Sequence, residues 1–210
     1  MKFQSFDTQN AFQDNYKFLI GSILPRPISV ISTRNADGSN NLAPFSFFTA
    51  ISAMPMVVAF SPLLRSKDLS RKDTVVNVER EGEFVVNFCT ESNYEKVNLC
   101  STELAYGEDE FKFAGLTPID SEKVQAKRML ESPVQFECKL RDILSYGKNA
   151  GAGSLITGEV VRIHVHESIL KDGKIQTELF KPVGRGAGND WFKTDSVFQL
   201  ERLMQAQIQK

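Results

Sequence analysis

The sequence predicts a mainly β protein, an antiparallel barrel with short peripheral helices. Two kinds of pattern carry the prediction. Val134, Phe136, Cys138 and Leu140 alternate strictly with Gln135, Glu137, Lys139 and Arg141, and Val161, Ile163 and Val165 alternate with Arg162, His164 and His166. A period of two marks a strand with one buried face. Short β-branched runs also recur between turn signals, with only brief helical stretches among them, which is the pattern of an antiparallel barrel.

In chain order, Arg26-Pro-Ile-Ser-Val-Ile-Ser-Thr33 reads as the first strand, and Asn35-Ala-Asp-Gly-Ser39 supplies the turn of a hairpin. Asn41 to Ile51 is a second extended segment, Met56 to Ser61 a third strand and Glu83 to Cys89 a fourth. Asp73 to Glu81 predicts a short helix with Asp73 or Thr74 as its N-cap. A helical stretch from Glu91 to about Thr102 and a polar segment through Glu108–Phe113 follow. Lys171-Asp-Gly-Lys174 is a turn, Lys181 to Asn189 a Gly-rich loop, and QLERLMQAQIQK an amphipathic tail. No internal repeat, low-complexity tract or Gly/Ser/Pro-rich linker divides the chain, so residues 1–210 are expected to form one domain.

Composition narrows the function. With 25 Lys and Arg against 26 Asp and Glu the net charge is −1, which argues against a general nucleic-acid surface because phosphates call for a basic excess. No apolar run approaches the roughly 18 residues of a membrane helix, and MKFQSFDTQN lacks the basic start and apolar stretch of a signal peptide. A cytoplasmic protein without membrane partners is the expectation. Cys89, Cys100 and Cys138 cannot all pair and have no zinc-type spacing; Cys89 is expected to be a buried strand residue. His164 and His166 would share one strand face, as two metal ligands or as an outward polar pair, and no third ligand stands nearby, so no metal is expected. Sixteen Phe against four Tyr and one Trp mean large rings buried without a polar handle.

Catalytic signatures are missing: there is no GxSxG, HExxH, P-loop, or GxGxxG opening a helix, so no catalytic side chain is assigned. Two segments carry chemistry of another kind. Arg65 to Thr74 reads RSKDLSRKDT, bringing Arg65, Lys67, Arg71 and Lys72, with Ser66, Ser70 and Thr74, to the start of the predicted helix. Cations, hydroxyls and free amides at a helix N-terminus suit a phosphate dianion; the other reading is a solvated charged loop. Asn41-Leu-Ala-Pro-Phe-Ser-Phe-Phe-Thr49 contains Pro44, which confines it to a sheet edge or bulge with free backbone groups. Small residues there could admit a planar ring walled by Phe45, Phe47 and Phe48; the alternative is plain core.

Arg26-Pro27, Ser32-Thr33, Asp37-Gly38, NLAPFSFF, Phe60-Ser61, KDT and EFVVN, in this order and spacing, resemble the flavin reductase-like family of FMN-binding split β-barrels. That family includes flavoredoxins and the reductase components of two-component monooxygenases. The resemblance covers residues 16 to 90 and continues at Lys181–Arg185 and Asn189-Asp190-Trp191, where Arg-Gly-Ala-Gly and Trp191 stand in place of the family's Arg-Leu-Gly-Gly and Tyr. It implies a Greek-key split barrel, a homodimer, FMN as cofactor and NADH or NADPH as co-substrate, with hydride passing from nicotinamide to FMN. The alternative it leaves is a flavoredoxin-type carrier reduced by a protein partner. Carried over by position, Asn41, Ala43, Pro44, Phe45, Ser46 and Phe47 would line the isoalloxazine. Ser61, Arg65, Lys72, Asp73 and Thr74 would meet the ribityl chain and phosphate, with Asp73 as N-cap or ribityl partner because a carboxylate repels phosphate. A cation at the flavin's N1/O2 edge would come from Arg185 or Arg26, and Arg26 reads equally as a surface residue beside two prolines.

Overall fold

The computed structural model describes residues 1–9 and 12–202; most of the predicted amphipathic tail lies outside them. The elements are α1 (Phe12–Ser22), β1 (Arg26–Pro27), β2 (Ser29–Arg34), β3 (Asn40–Phe45), β4 (Phe48–Ala53), β5 (Met56–Phe60), α2 (Asp73–Glu81), β6 (Glu83–Phe88), α3 (Tyr94–Leu99) and α4 (Glu110–Ala114). They continue with β7 (Pro118–Ile119), β8 (Arg128–Met129), β9 (Val134–Ser145), β10 (Ser154–Val165), β11 (Leu170–Lys171), β12 (Lys174–Ile175), α5 (Thr177–Phe180), β13 (Val183–Arg185) and β14 (Trp191–Lys193). No described helix is long and apolar enough to cross a membrane.

A seven-stranded antiparallel sheet in the order β3-β2-β6-β9-β10-β5-β4 forms the barrel. Its two edge strands, β3 and β4, are consecutive in the chain and joined by the bend at Ser46 and Phe47, so the barrel is split between them. The phenylalanine excess fills its interior. Phe45 packs on Phe60 at 5.3 Å, Phe60 on Phe84 at 5.3 Å, and Phe88 on Phe136 at 5.1 Å, centroid to centroid. Tilted and edge-on geometry suits the ring quadrupoles. Gly158 on β10 is a packing requirement: a Cβ there would collide with the Phe84 ring.

Helix α2 begins and ends where the sequence places it and lays Val75 and Val78 into the barrel core beside Ile31 and Phe84. Gly82 ends it in the left-handed region at φ 68°, returning its N–H to Val78 O. A second core lies on the opposite face of β2 and β3, where Val30 and Leu42 meet Val97, Phe111 and Ala114 of α3 and α4. Strand β2 is therefore buried from Ser29 to Thr33 on both faces.

Several expectations are corrected. The predicted strand from Arg26 to Thr33 is two strands in two sheets: β1 pairs with β13, while β2 pairs with β3 and β6. Pro25 and Pro27 lack the donors that would continue one ladder. The extended segment from Asn41 to Ile51 bends at Ser46 and Phe47 into β3 and β4, and part of the Gly-rich loop is β13. The stretch from Glu91 shortens to α3, and the polar segment contains α4, capped by Asp109 accepting from the N–H of Phe111 and Lys112.

The alternation in β9 and β10 marks strands correctly but not which faces are buried. Gln135 and Glu137 are buried, because the segment around β7 and β8 covers the outer face of β9. A bulge between Val160 and Arg162 shifts the phase of β10, exposing Val161 and Ile163 and turning His164 inward. His164 meets Glu137 at 2.6 Å, whereas exposed His166 lies beyond the strand and bonds Ser168; the two do not form an outward pair.

Burial raises the Glu137 pKa, but hydrogen bonds from the Glu122 N–H, from His164 and from the Lys123 N–H outweigh it and hold the carboxyl below its ordinary 4.5. A depressed folded value adds stability that is complete above the unfolded pKa and is lost as the pH falls through the folded one. Urea denaturation is therefore expected to show Glu137→Ala costing about 3 kcal/mol or more at pH 7, as for a broken buried pair. Glu137→Gln is expected to flatten the loss of stability below pH 4.5.

Candidate functional site

Strand β3 is a sheet edge, and its outward backbone is managed by two residues. Pro44, opposite Val30, has no N–H to leave unpaired. Buried Glu110, the first residue of α4, accepts the Leu42 N–H at 2.9 Å. Burial pushes the Glu110 carboxyl up, opposed by bonds from the Leu42 and Glu110 N–H groups, while Asp73 and Asp109 add to the rise.

Between β3, the start of α2 and the turn after α3 lies a cleft of about 90 Å³. It brings together Asn41, Ala43, Pro44, Phe45, Arg65, Lys72, Asp73 and Thr74 from the predicted set. It adds Cys100 to Leu104 and Glu110, which carry no motif-level signal in the sequence. The helix start is left open. Lys72, not Asp73 or Thr74, is the N-cap, and no side chain caps the helix. Among the described residues, the N–H groups of Asp73 and Thr74 have no acceptor. Asp73 instead pairs with Arg65 at 3.0 Å. Arg71 pairs with Glu79 at 2.8 Å. Lys72 makes no ion pair within 4.0 Å among the described residues, and burial holds its pKa down.

Thr74 is 1 % exposed, and its Oγ1 accepts from Asn41 Nδ2 at 3.1 Å. Its own hydroxyl proton has no acceptor among the described residues, although the side chain borders the cleft. Thr33 Oγ1, which does not line the cleft, likewise accepts from Asn41 and Asn77, so the Asn41 amide links the two hydroxyls beneath the start of α2.

A trough of about 150 Å³ adjoins this cleft, sharing Pro44, Phe45 and Ser101 with it and adding Ser46, Asn98, Arg185 and Trp191. Arg185 stacks on Trp191 at 5.1 Å and donates to Gly188 O. The departure from the family pattern thus places its aromatic directly under a cation. Phe47 and Ser61 lie elsewhere, in an apolar groove shared with Arg26 and Ser46; Ser61 is not brought to the cleft.

Arg26 is not a surface residue. It is 4 % exposed and donates to Ile20 O and Ile23 O at 2.8 Å, to Gly186 O at 2.6 Å and to Ser46 Oγ at 3.3 Å. It ties the end of α1 to the β13–β14 turn, which leaves its cation engaged within the fold. Cys89 is buried just beyond β6, and burial, followed by the neighbouring Cys100, pushes its thiol up to about 12; Cys100 rises to about 12 as well.

Fold and cleft together define a split-barrel protein with a trough along one edge strand. The chain belongs to the flavin reductase-like family, whose domain matches residues 20–178. Nitrilotriacetate monooxygenase component B from Bacillus cereus is 34% identical and superimposes with a TM-score of 0.90, covering 95% of this chain and 100% of that one. The 2-nitrobenzoate 2-nitroreductase of Pseudomonas fluorescens is 25% identical, with a TM-score of 0.86 over 97% and 98% of the two chains. An uncharacterized protein of Halalkalibacterium halodurans is 39% identical over 192 residues, 90% of this chain and 91% of that protein.

Removing the Arg26 guanidinium leaves three carbonyls without their donor. Arg26→Ala is expected to lower folding stability by about 3 kcal/mol or more, read as a reduced urea midpoint with unchanged slope.

Proposed function

We propose that the protein is an FMN-binding oxidoreductase, an NAD(P)H-dependent flavin reductase that works as a cytoplasmic homodimer. The observation that carries this reading is Lys72, with no ion pair among the described residues, beside the open start of α2 in a cleft that continues into an aromatic trough. These donors fit a phosphate at one end and a planar ring system at the other.

Lys72 would neutralise the phosphate, with the Asp73 and Thr74 N–H groups and the Thr74 hydroxyl directing donors at its oxygens. The backbone from Ala43 to Ser46 would face the ring edge, and Arg185, stacked on Trp191, would place positive charge near it. Bound flavin supplies the hydride chemistry, so the protein need only bind, orient and exclude water. The absence of a nucleophile or general-base signature agrees with that division of labour. Likeness to nitrilotriacetate monooxygenase component B supports service to a partner oxygenase. Exposed Ile23 just after α1, Ile51 on β4 and Met54 in the turn that follows it are apolar side chains available to a second copy.

The purified protein loaded with FMN is expected to bleach at once when NADH or NADPH is added without oxygen. Persistence of the oxidised spectrum with both nucleotides refutes the reductase reading, and reduction only through a protein partner marks the carrier type. Lys72→Ala is expected to weaken FMN about 10- to 100-fold, as for a lost charge-assisted bond. Thr74→Val is expected to cost about fivefold. Unchanged titrations for both variants contradict the phosphate assignment.

A further inference from the structure

Three carboxyl groups border the cleft that holds Lys72: Asp73, Glu103 and Glu110. Asp73 pairs with Arg65 at 3.0 Å, and Glu103 lies exposed to water on the turn after α3. Glu110 differs from both. It is 9 % exposed, and its Oε2 accepts the Leu42 N–H at 2.9 Å. Among the described residues no cation lies within 4.0 Å of it, and no other residue bonds its Oε1. One oxygen is thus fixed to the edge strand while the other is free at a cleft wall.

The groups facing this carboxyl come from each element packed on it. Strand β3 supplies the Leu42 N–H, and the start of α2 supplies the Asp73 carboxylate. At the end of α3 the Cys100 Sγ lies 4.0 Å from the Glu110 backbone oxygen, and its thiol, pushed up to about 12, keeps its proton. Asp109 precedes Glu110, with its oxygens engaged by the Phe111 and Lys112 N–H groups and by Asn40 Nδ2. Lys72, Arg65 and Glu103 line the rest of the cleft. Burial and two negative neighbours already favour the protonated form of Glu110. An anion beside Lys72 adds a further negative charge. Toward that anion an ionised Glu110 is repulsive, whereas a carboxylic acid presents an O–H.

We propose that Glu110 faces the ligand and takes up a proton when an anion enters the cleft, so that binding of a phosphorylated ligand is proton-linked. The inference rests on the reading of this cleft as a phosphate site and adds the residue that makes its occupancy depend on pH. The complex then holds more protons than the free protein, so affinity rises as pH falls through the interval in which free Glu110 is ionised. Within that interval the change approaches about tenfold per pH unit.

The test compares wild type with Glu110→Gln from about pH 5 to about pH 8, across the range where an upshifted carboxyl titrates. Glutamine can accept the Leu42 N–H through its carbonyl and turn a neutral N–H donor toward the cleft, so it mimics the protonated acid. FMN is the first probe. Riboflavin, which lacks the phosphate, is the second, and sulfate, whose charge is constant over this range, is the third. Wild type is expected to lose affinity for FMN and sulfate as pH rises, with riboflavin constant within about twofold. Glu110→Gln is expected to flatten both profiles and to bind FMN about tenfold more tightly than wild type at about pH 8. Calorimetry in buffers of different ionisation heat is expected to show proton uptake with sulfate in wild type and less in the variant. Weaker FMN binding by Glu110→Gln at every pH, or an unchanged profile, overturns the proposal. Proton uptake that persists in Glu110→Gln assigns the proton to Lys72 and also overturns it. Where Glu110→Gln does not fold, Lys72→Met makes the same distinction: uptake retained upholds the role of Glu110, and uptake lost refutes it. Proton-linked sulfate binding that depends on Glu110, in a protein that binds neither flavin, upholds this inference and refutes the FMN reading. FMN binding with no proton uptake refutes the inference alone, and failure to bind any of the three probes refutes both.

Discussion

The structure depends on how α2 is seated across β2 and β3. Its apolar side chains, Val75 and Val78, would tolerate sliding along the barrel, because burial has little directional preference. The polar layer has no such tolerance. Thr74 and Asn77 reach Asn41, Thr33 and Asn35 through bonds of 2.7 to 3.1 Å, and displacement of the helix by one turn, about 5.4 Å, would break all of them. Buried polar networks of this kind set register where hydrophobic contact alone does not. One acceptor, Asn77 Oδ1, stays buried without a partner among the described residues, a local cost that the seating of the helix outweighs.

Once α2 is seated, the cleft follows. The open helix start comes to rest beside the edge strand β3, and the same strand is protected from pairing with another chain by Pro44 and by Glu110. Edge protection and the cleft are therefore one arrangement: the backbone that must not form another ladder is the backbone that borders the trough. Strand β2 makes this workable by being buried on both faces, so that α2 and the α3–α4 layer press on a common, rigid sheet.

Much of this was legible in the sequence because it is local. The limits of α2, the hairpin turns, the edge position of Pro44 and the grouping of Arg65 with Lys72 to Thr74 all follow from neighbours within a few residues. What was not legible depends on distant contacts. Arg26 owes its burial to Gly186, 160 positions away, and nothing beside Arg26-Pro27 announces that. The buried faces of β9 and β10 were misassigned because a covering segment and a bulge override alternation. The turn from Cys100 to Leu104 joins the cleft by chain path alone, with no composition to mark it.

Charge was the clearest sequence signal for a phosphate, and the structure changes its meaning. Two of the cations between Arg65 and Lys72 are matched by carboxylates, Arg65 by Asp73 and Arg71 by Glu79, and of the cations that line the cleft Lys72 alone is unmatched among the described residues. Asp73, Glu103 and Glu110 border the same space. A site with so little positive excess cannot hold a dianion by field strength alone. Under the proposed function, recognition of a phosphate would rest on donors fixed in direction, the two helix N–H groups of Asp73 and Thr74, beside Lys72. Directed neutral donors lose less to dissolved salt than bare charges do, and they distinguish a phosphate from other anions by the placement of its oxygens.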